Sequence, residues 1–353
     1  NELRYKTFQI QNNLQIFRDK STWTFGGSYE KYQSENVFFP GSQSAYVFNS
    51  LEDFYASAGG NTDITLRRFQ VRYNNIPGQE KPIQPLSVDY FGLYGQNELR
   101  FNDKFTTTIG LRVDVPIFGE TGFRNTEVEG MNFVDSDGNT TKYRTDKLPD
   151  ANLLWSPRVG FNYDVKGDKT LQVRGGTGIF TGRPAYVWVS NQIGNNGILT
   201  GFDRLDNVKT RPFSPDPETY KPQNVTGTPA ANYELALTDA DFKFPQVWRT
   251  NIAVDKKLPG GIIGTAEFIY SKDVNGVSYH NANLAPSNGT FAGADQRVRW
   301  VGGNSATRIN GKIDNAVTLG NQAIGSSYVT SVSLEKPFTN GLYAKAAYSY
   351  GIT

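Results

Sequence analysis

The chain has 353 residues with 36 basic and 34 acidic side chains, and a net charge of +2 gives it no nucleic-acid signature. Cysteine is absent and His280 is the sole histidine, which excludes a disulfide framework, a thiolate metal site and a histidine-built zinc site. Aromatic content of 13% beside 36 glycines points to an all-β protein, and no run reaches the ~18 apolar residues of a membrane helix.

Alternation begins at once. In "TFQIQNNLQIF" (7–17), Phe8, Ile10, Leu14 and Ile16 oppose Gln9, Gln11, Asn13 and Gln15. In "FTTTIGLRVDVPIF" (105–118), Ile109, Leu111, Val113, Val115 and Ile117 oppose Thr106, Thr108, Arg112 and Asp114. Further along, Val159, Phe161 and Tyr163 oppose Arg158, Asn162 and Asp164, and near the end Leu342, Ala344, Ala346 and Tyr348 oppose Lys345 and Ser349.

Short turns join these strands: "RDKST" (18–22), "NDK" (102–104), "KGDK" (166–169), "LPGG" (258–261) and "FTNG" (338–341). Between successive hairpins lie long gaps, 37–86, 118–153, 183–245 and 272–325, so short and long connections alternate. Segments 64–73 and 311–320 also look like strands. If either crossed the sheet alone, the next short turn would fall on the wrong end, so both belong to long loops. That leaves ten spanning strands in five hairpins: 3–17 with 22–36, 87–101 with 105–117, 154–166 with 169–182, 246–257 with 262–272, and 326–337 with 341–353. Strands of this length match tilted strands crossing an apolar band of ~25 Å, with short turns at one end and long loops at the other. The expected fold is therefore an all-β, antiparallel, up-and-down transmembrane barrel, present in part. The stretch from residue 182, "GRPAYVWVSNQIGNNG", carries no helix signal and reads as the start of a large outer loop.

Several groups could carry chemistry. Arg183, Tyr186, Trp188, Arg204, Arg211 and Tyr220 lie in the 183–245 loop, where aromatics and guanidinium groups suit capture of a peptide or oligosaccharide; the same residues would also serve simply to pack the loop. Gln11, Gln15, Arg112, Asp114, Arg158 and Arg174 fall on the polar parity and would line a lumen, or else the wet face of a soluble sheet. Asp135, Asp137 and Asn139 alternate as in a calcium loop, but Gly138 is misplaced and the closing residue is Asp146 rather than Glu, so "SDGN" reads better as a turn. The pairs Glu127 with Glu129 and Asp239 with Asp241 are more simply solvated carboxylates than an acid and base pair. Glycines 175, 176 and 178 lie in a strand of alternating pattern, where it bends or neighbours approach closely, and do not sit in a nucleotide loop. His280 reads as a solvent-facing loop residue. No enzyme motif is present, so neither catalysis nor a cofactor is expected.

The stretches "RGGTGIFTGRPAYVWVSNQIGNNG", "RRFQVRYNNIPGQEKPIQPL", "FGLYGQNELRFNDKFTTTIGLRVDVP", "FPQVWRTNIAVDKKLPGG" and "SLEKPFTNGLYAKAAYSYG" resemble the barrel of TonB-dependent outer-membrane transporters, and among them the Oar-like kind of Bacteroidetes. The resemblance implies a barrel of 22 strands around a plug. It also implies a location in the outer membrane of a Gram-negative bacterium, a TonB-type energy-coupling partner reached through the plug, and a small nutrient bound by the outer loops. Residues 1–353 are then expected to be part of one barrel domain, with plug, TonB-contacting segment and closing strands outside this chain. The bilayer and the remainder of the barrel would be its other partners, with no nucleic acid. The competing expectation is a soluble secreted β-sheet protein that binds carbohydrate; a purely structural or assembly role is a third.

Overall fold

The computed structural model describes residues 2–119, 123–339 and 341–353; Asn1, residues 120–122 and Asn340, the last within the expected fifth turn, lie outside them. Ten long strands dominate it: β1 (Glu2–Phe17), β2 (Ser21–Val37), β3 (Gln84–Arg100), β4 (Phe105–Phe118), β5 (Leu154–Asp164), β6 (Leu171–Thr181), β7 (Gln246–Leu258), β8 (Ile262–Asn281), β9 (Ser326–Thr339) and β10 (Leu342–Ile352). Each pairs antiparallel with its neighbour in sequence, forming an up-and-down meander from β1 to β10. Among the described residues β1 pairs only with β2 and β10 only with β9, so the sheet is not closed.

Register follows the alternation. Phe8, Ile10, Leu14 and Ile16 stand opposite Lys31, Tyr29, Phe25 and Trp23, while Gln9, Gln11, Asn13 and Gln15 stand opposite Glu30, Ser28, Gly26 and Thr24. Continued across the sheet, the first face carries Leu93, Leu111, Trp155, Val159, Trp248, Ile252 and Phe268, all large apolar side chains left exposed. A slip of one residue would exchange the two faces, so this register is strongly specified.

The turns at one end are tight. In the turn between β5 and β6, the Asp164 carboxylate accepts the backbone N–H groups of Gly167 and Lys169 at 2.9 Å each, and Gly167 takes φ +79°, where glycine meets no Cβ penalty.

At the other end the loops are built, not bare. The segment expected as a loop strand at 64–73 is strand Leu66–Asn74, which pairs with Ala45–Val47 and Thr200–Val208 in a three-stranded sheet joining the first and third loops. The segment expected at 311–320 is strand Ile313–Gln322. It pairs antiparallel with the outer half of β8, which runs on to Asn281 instead of ending near 272, and it pairs parallel with Tyr233–Thr238. His280 is therefore a strand residue, not a free loop residue, and its Nε2 lies 3.2 Å from the Val134 carbonyl.

A second difference concerns the inner face near the loops. The parity that is polar lower down becomes apolar at Leu86, Val88 and Leu154, which bury with Val189, Ile193, Phe242 and Phe244 in one core. Val189 and Ile193 belong to a helix, Tyr186–Gly194, in the stretch that shows no helix signal in sequence. Its N-cap, Ala185, makes no side-chain cap bond, so packing of its apolar side onto the wall, not local propensity, holds it. Burial of side chains of this size contributes roughly 1.5–3 kcal/mol each.

Candidate functional site

The inner wall is a polar surface on which Arg112 and Arg174 are ion-paired. Arg112 grips Asp114 through Nε at 2.8 Å and Nη2 at 2.7 Å, with Asp114 almost fully buried and the guanidinium 5.7 Å from the Tyr94 ring. Gly92 stands opposite Asp114 because a Cβ there would come within 2.4 Å of Arg112 Nη2. Arg174 donates to Asp255 at 2.9 Å and lies 3.7 Å from Glu267. Arg158 stands opposite Gly110 and Gly178, whose missing side chains leave room for it. Gln11 and Gln15, opposite Ser28 and Thr24, share this face.

The third loop, from 182 to 245, folds back onto the same face. Arg183 Nη1 reaches the Glu30 carboxylate of β2 at 2.5 Å and its guanidinium lies 4.6 Å over the Tyr90 ring of β3. Tyr186 lies against Tyr32 at 4.6 Å, its hydroxyl is buried without a hydrogen-bond partner, and burial pushes its phenol up to about 12. Trp188 is partly exposed and meets Tyr279 edge-on at 6.4 Å.

The other three loop candidates are elsewhere. Arg204 lies 3.6 Å from Asp206 on the three-stranded loop sheet. Arg211 sits 5.2 Å over Tyr220, whose hydroxyl donates to the Pro212 carbonyl at 2.7 Å, and both pack on Phe69. The six candidates thus divide between two places: Arg183, Tyr186 and Trp188 near the inner wall, and Arg204, Arg211 and Tyr220 packing the loop sheet.

Asp135, Asp137 and Asn139 form a turn. The Asp135 carboxylate accepts the N–H groups of Asp137 at 2.9 Å and Asn139 at 2.8 Å, Gly138 takes φ +83°, and the two-residue strands Phe133–Val134 and Thr140–Thr141 pair across it. Among the described residues no group of three His, Asp or Glu side chains is placed to hold a metal ion. Glu127 and Glu129 are likewise engaged separately, with Lys312 at 2.6 Å and Arg124 at 2.6 Å.

Sequence reasoning missed a polar cavity of about 620 Å³ between the second and third loops, whose lining includes Asp135, Asp137, Tyr143, Thr238, Asp239 and Asp241. The Tyr143 hydroxyl donates to Asp239 at 3.1 Å; burial raises both the phenol and the carboxyl above their usual ranges. Gly320 opposes Asp239, and a Cβ there would stand 2.4 Å from its Oδ2. The residues come from segments about a hundred positions apart, so no local spacing announced them.

A family profile described as an outer membrane beta barrel domain matches residues 1–352. The chain belongs to the outer membrane β-barrel domain family. This barrel domain resides in the outer membrane of a Gram-negative bacterium, and the exposed apolar face described above is the face such a barrel turns to lipid. That location removes the soluble secreted reading. No curated protein matches the chain. Among solved structures, the FrpB iron transporter from Neisseria meningitidis is 11% identical at a TM-score of 0.50, covering 99% of this chain and 35% of that one. The outer membrane transporter YddB from Escherichia coli is 13% identical (TM-score 0.49; 99% and 34% covered), and the ferric enterobactin receptor PfeA from Pseudomonas aeruginosa 11% (0.48; 99% and 36%). The chain spans about a third of the length of these structures. The FrpB likeness concerns the fold.

Proposed function

We propose that this barrel domain belongs to an outer-membrane active-transport receptor of the TonB-dependent, Oar-like kind, whose outer loops bind a nutrient of the peptide or oligosaccharide class for import. The observation that carries the reading is the pin between Arg183 and Glu30. It holds a long outer loop against a polar inner wall, the arrangement a receptor needs if a solute caught outside is to be passed inward. In this reading a plug fills the lumen and contacts the wall charges, and a TonB-type partner pulls on that plug from the periplasm. Further strands of the same barrel pair with β1 and β10, since lipid cannot satisfy unpaired backbone groups. No chemical conversion is assigned in this reading.

The test is uptake by native cells of labelled short peptides and labelled oligosaccharides, with the gene intact, deleted, or carrying Arg183→Ala and Trp188→Ala. Loss of uptake on deletion, and its loss when the TonB-type partner is removed while surface binding persists, support the reading. Uptake that survives deletion for every solute offered would remove it.

A further inference from the structure

Close to the turns, the outward face between β7 and β10 departs from the rest of the lipid-facing wall. Near the turns of β2, β4 and β5 the outward positions hold rings, Trp23, Phe105 and Tyr163, the last two edge-on at 6.0 Å. This is the aromatic girdle that a barrel sets at a membrane interface. Within a few residues of their own turns, β7, β8 and β9 instead place Lys256, Gly264 and Lys336 outward.

The small side chains leave a groove of about 600 Å³, within the ~300–1,000 Å³ of small-ligand sites. Gly264, Ala266 and Ala346 lie in it among the exposed side chains of Val254, Leu334 and Tyr348. Lys256 stands opposite Gly264, Gly264 opposite Leu334 and Leu334 opposite Ala346, so one row across four strands carries a long cation, no side chain, an isobutyl group and a methyl group. The groove is apolar along its length and cationic at its turn end.

Charge separates the two faces of these strands. Asp255, Glu267 and Glu335 fall on the lumen parity, where Arg174 holds Asp255 at 2.9 Å and lies 3.7 Å from Glu267, and Lys345 holds Glu335 at 3.1 Å. Among the described residues the outward positions of the four strands carry no carboxylate, and Lys256 makes no ion pair. Lys336 Nζ donates to the Gly260 carbonyl in the turn below the groove, and one such bond leaves an ammonium two further donors.

We infer that this groove is a site for an anionic phospholipid of the periplasmic leaflet, with an acyl chain along Ala266 and Tyr348 and the phosphate at Lys256. The occupant follows from position and charge. The short turns of an outer-membrane barrel face the periplasm, so the groove opens to hydrocarbon and its cation to the headgroups of the inner, phospholipid leaflet. An ammonium and a phosphate make a charge-assisted contact, and an acid-free surface leaves no carboxylate to compete for it. A zwitterionic lipid brings its own ammonium and gains less. The site rests on the outer-membrane placement and is independent of the solute imported.

The test is native mass spectrometry of the full-length protein in mild detergent, titrated with phosphatidylglycerol or with phosphatidylethanolamine of the same acyl chains, the heat-dependent gel shift serving as the check that each variant is folded. Phosphatidylglycerol is expected to bind about tenfold more tightly than phosphatidylethanolamine. Lys256→Gln should bring the two lipids level, and Lys256→Arg should keep the preference. Ala266→Phe fills the groove and should weaken both lipids about tenfold. Lys257→Gln, one residue on and on the lumen parity, should change neither. Equal affinity of the wild type for the two lipids would overturn the proposal, and so would equal losses in Lys256→Gln and Lys257→Gln, which would assign the attraction to the overall charge of the turns. Undiminished binding in Ala266→Phe would place the lipid outside this groove and overturn it as well.

Discussion

Arg183 and Glu30 lie 153 residues apart and meet at 2.5 Å, with the guanidinium held 4.6 Å over Tyr90. The pair joins the third loop to the wall where the inner face changes from polar to apolar. Glu30 is buried and the Arg183 side chain is 43% exposed, so solvent screens part of the interaction. Glu30→Ala is expected to cost the loop about 1–2 kcal/mol, below the ~3–5 kcal/mol of a fully buried pair losing one partner because the guanidinium left behind is part solvated. Limited proteolysis should then cut between 182 and 245 several times faster while the barrel keeps its heat-dependent gel shift. Unchanged cutting would mean that the apolar core alone seats the loop.

Trp23, Trp155 and Trp248 lie on the outward parity, whereas Trp188 and Trp300 lie in loops. Single-tryptophan versions that keep only Trp155 or only Trp248 are expected to be quenched by brominated lipid, and one that keeps only Trp188 to be spared. The reverse order would invert the assignment of the two faces.

Gly197 adopts φ +78°, and a Cβ there would come within 2.5 Å of the Tyr233 ring and 2.8 Å of Asn125 Nδ2. Asn125 uses that amide to donate to the Asn196 carbonyl at 2.9 Å, tying the second loop to the third. Gly197→Ala combines left-handed backbone strain with overpacking and should cost the loops about 2–4 kcal/mol. Hydrogen exchange would show the loss as weaker protection at 195–199 and 233–238; full protection would show that Tyr233 can shift aside.

Asp239 carries a raised carboxyl, first through burial. The folded loop thus binds a proton more tightly than the unfolded one. Stability there is highest in acid and falls as pH rises from the ordinary carboxylate range through the folded value. Amide exchange near 238–241, corrected for its intrinsic pH dependence, should speed up across that window in the wild type and stay flat in Asp239→Asn. Equal slopes in the two proteins would assign the effect to other acids of the cavity.

Much of the barrel was legible because alternation and turn chemistry act over a few residues. Ile109, Leu111 and Val113 against Arg112 and Asp114 declare a two-faced strand, and "KGDK" its turn. Even the loop strands at 66–74 and 313–322 were visible by the same rule. What escaped depends on distant contacts. The helix Tyr186–Gly194 has no cap bond and forms because Val189 and Ile193 find Leu86 and Val88; the cavity exists because Tyr143 meets Asp239, 96 residues away. Loop residues chosen for their chemistry proved to be split between two locations, since residue type does not encode which neighbour a loop folds against.

Beyond its pairing with β7, strand β8 serves two further ladders. Its lower part pairs with β9 and its upper part with Ile313–Gln322, a strand of the fourth loop. Because a shift by one residue exchanges faces, neither ladder can change register without dragging the other. The single backbone acts like a graduated rod: the height and rotation of the outer canopy are indexed to the wall in whole residue steps, so the canopy keeps its alignment with the lumen even where loop side chains are free to rearrange.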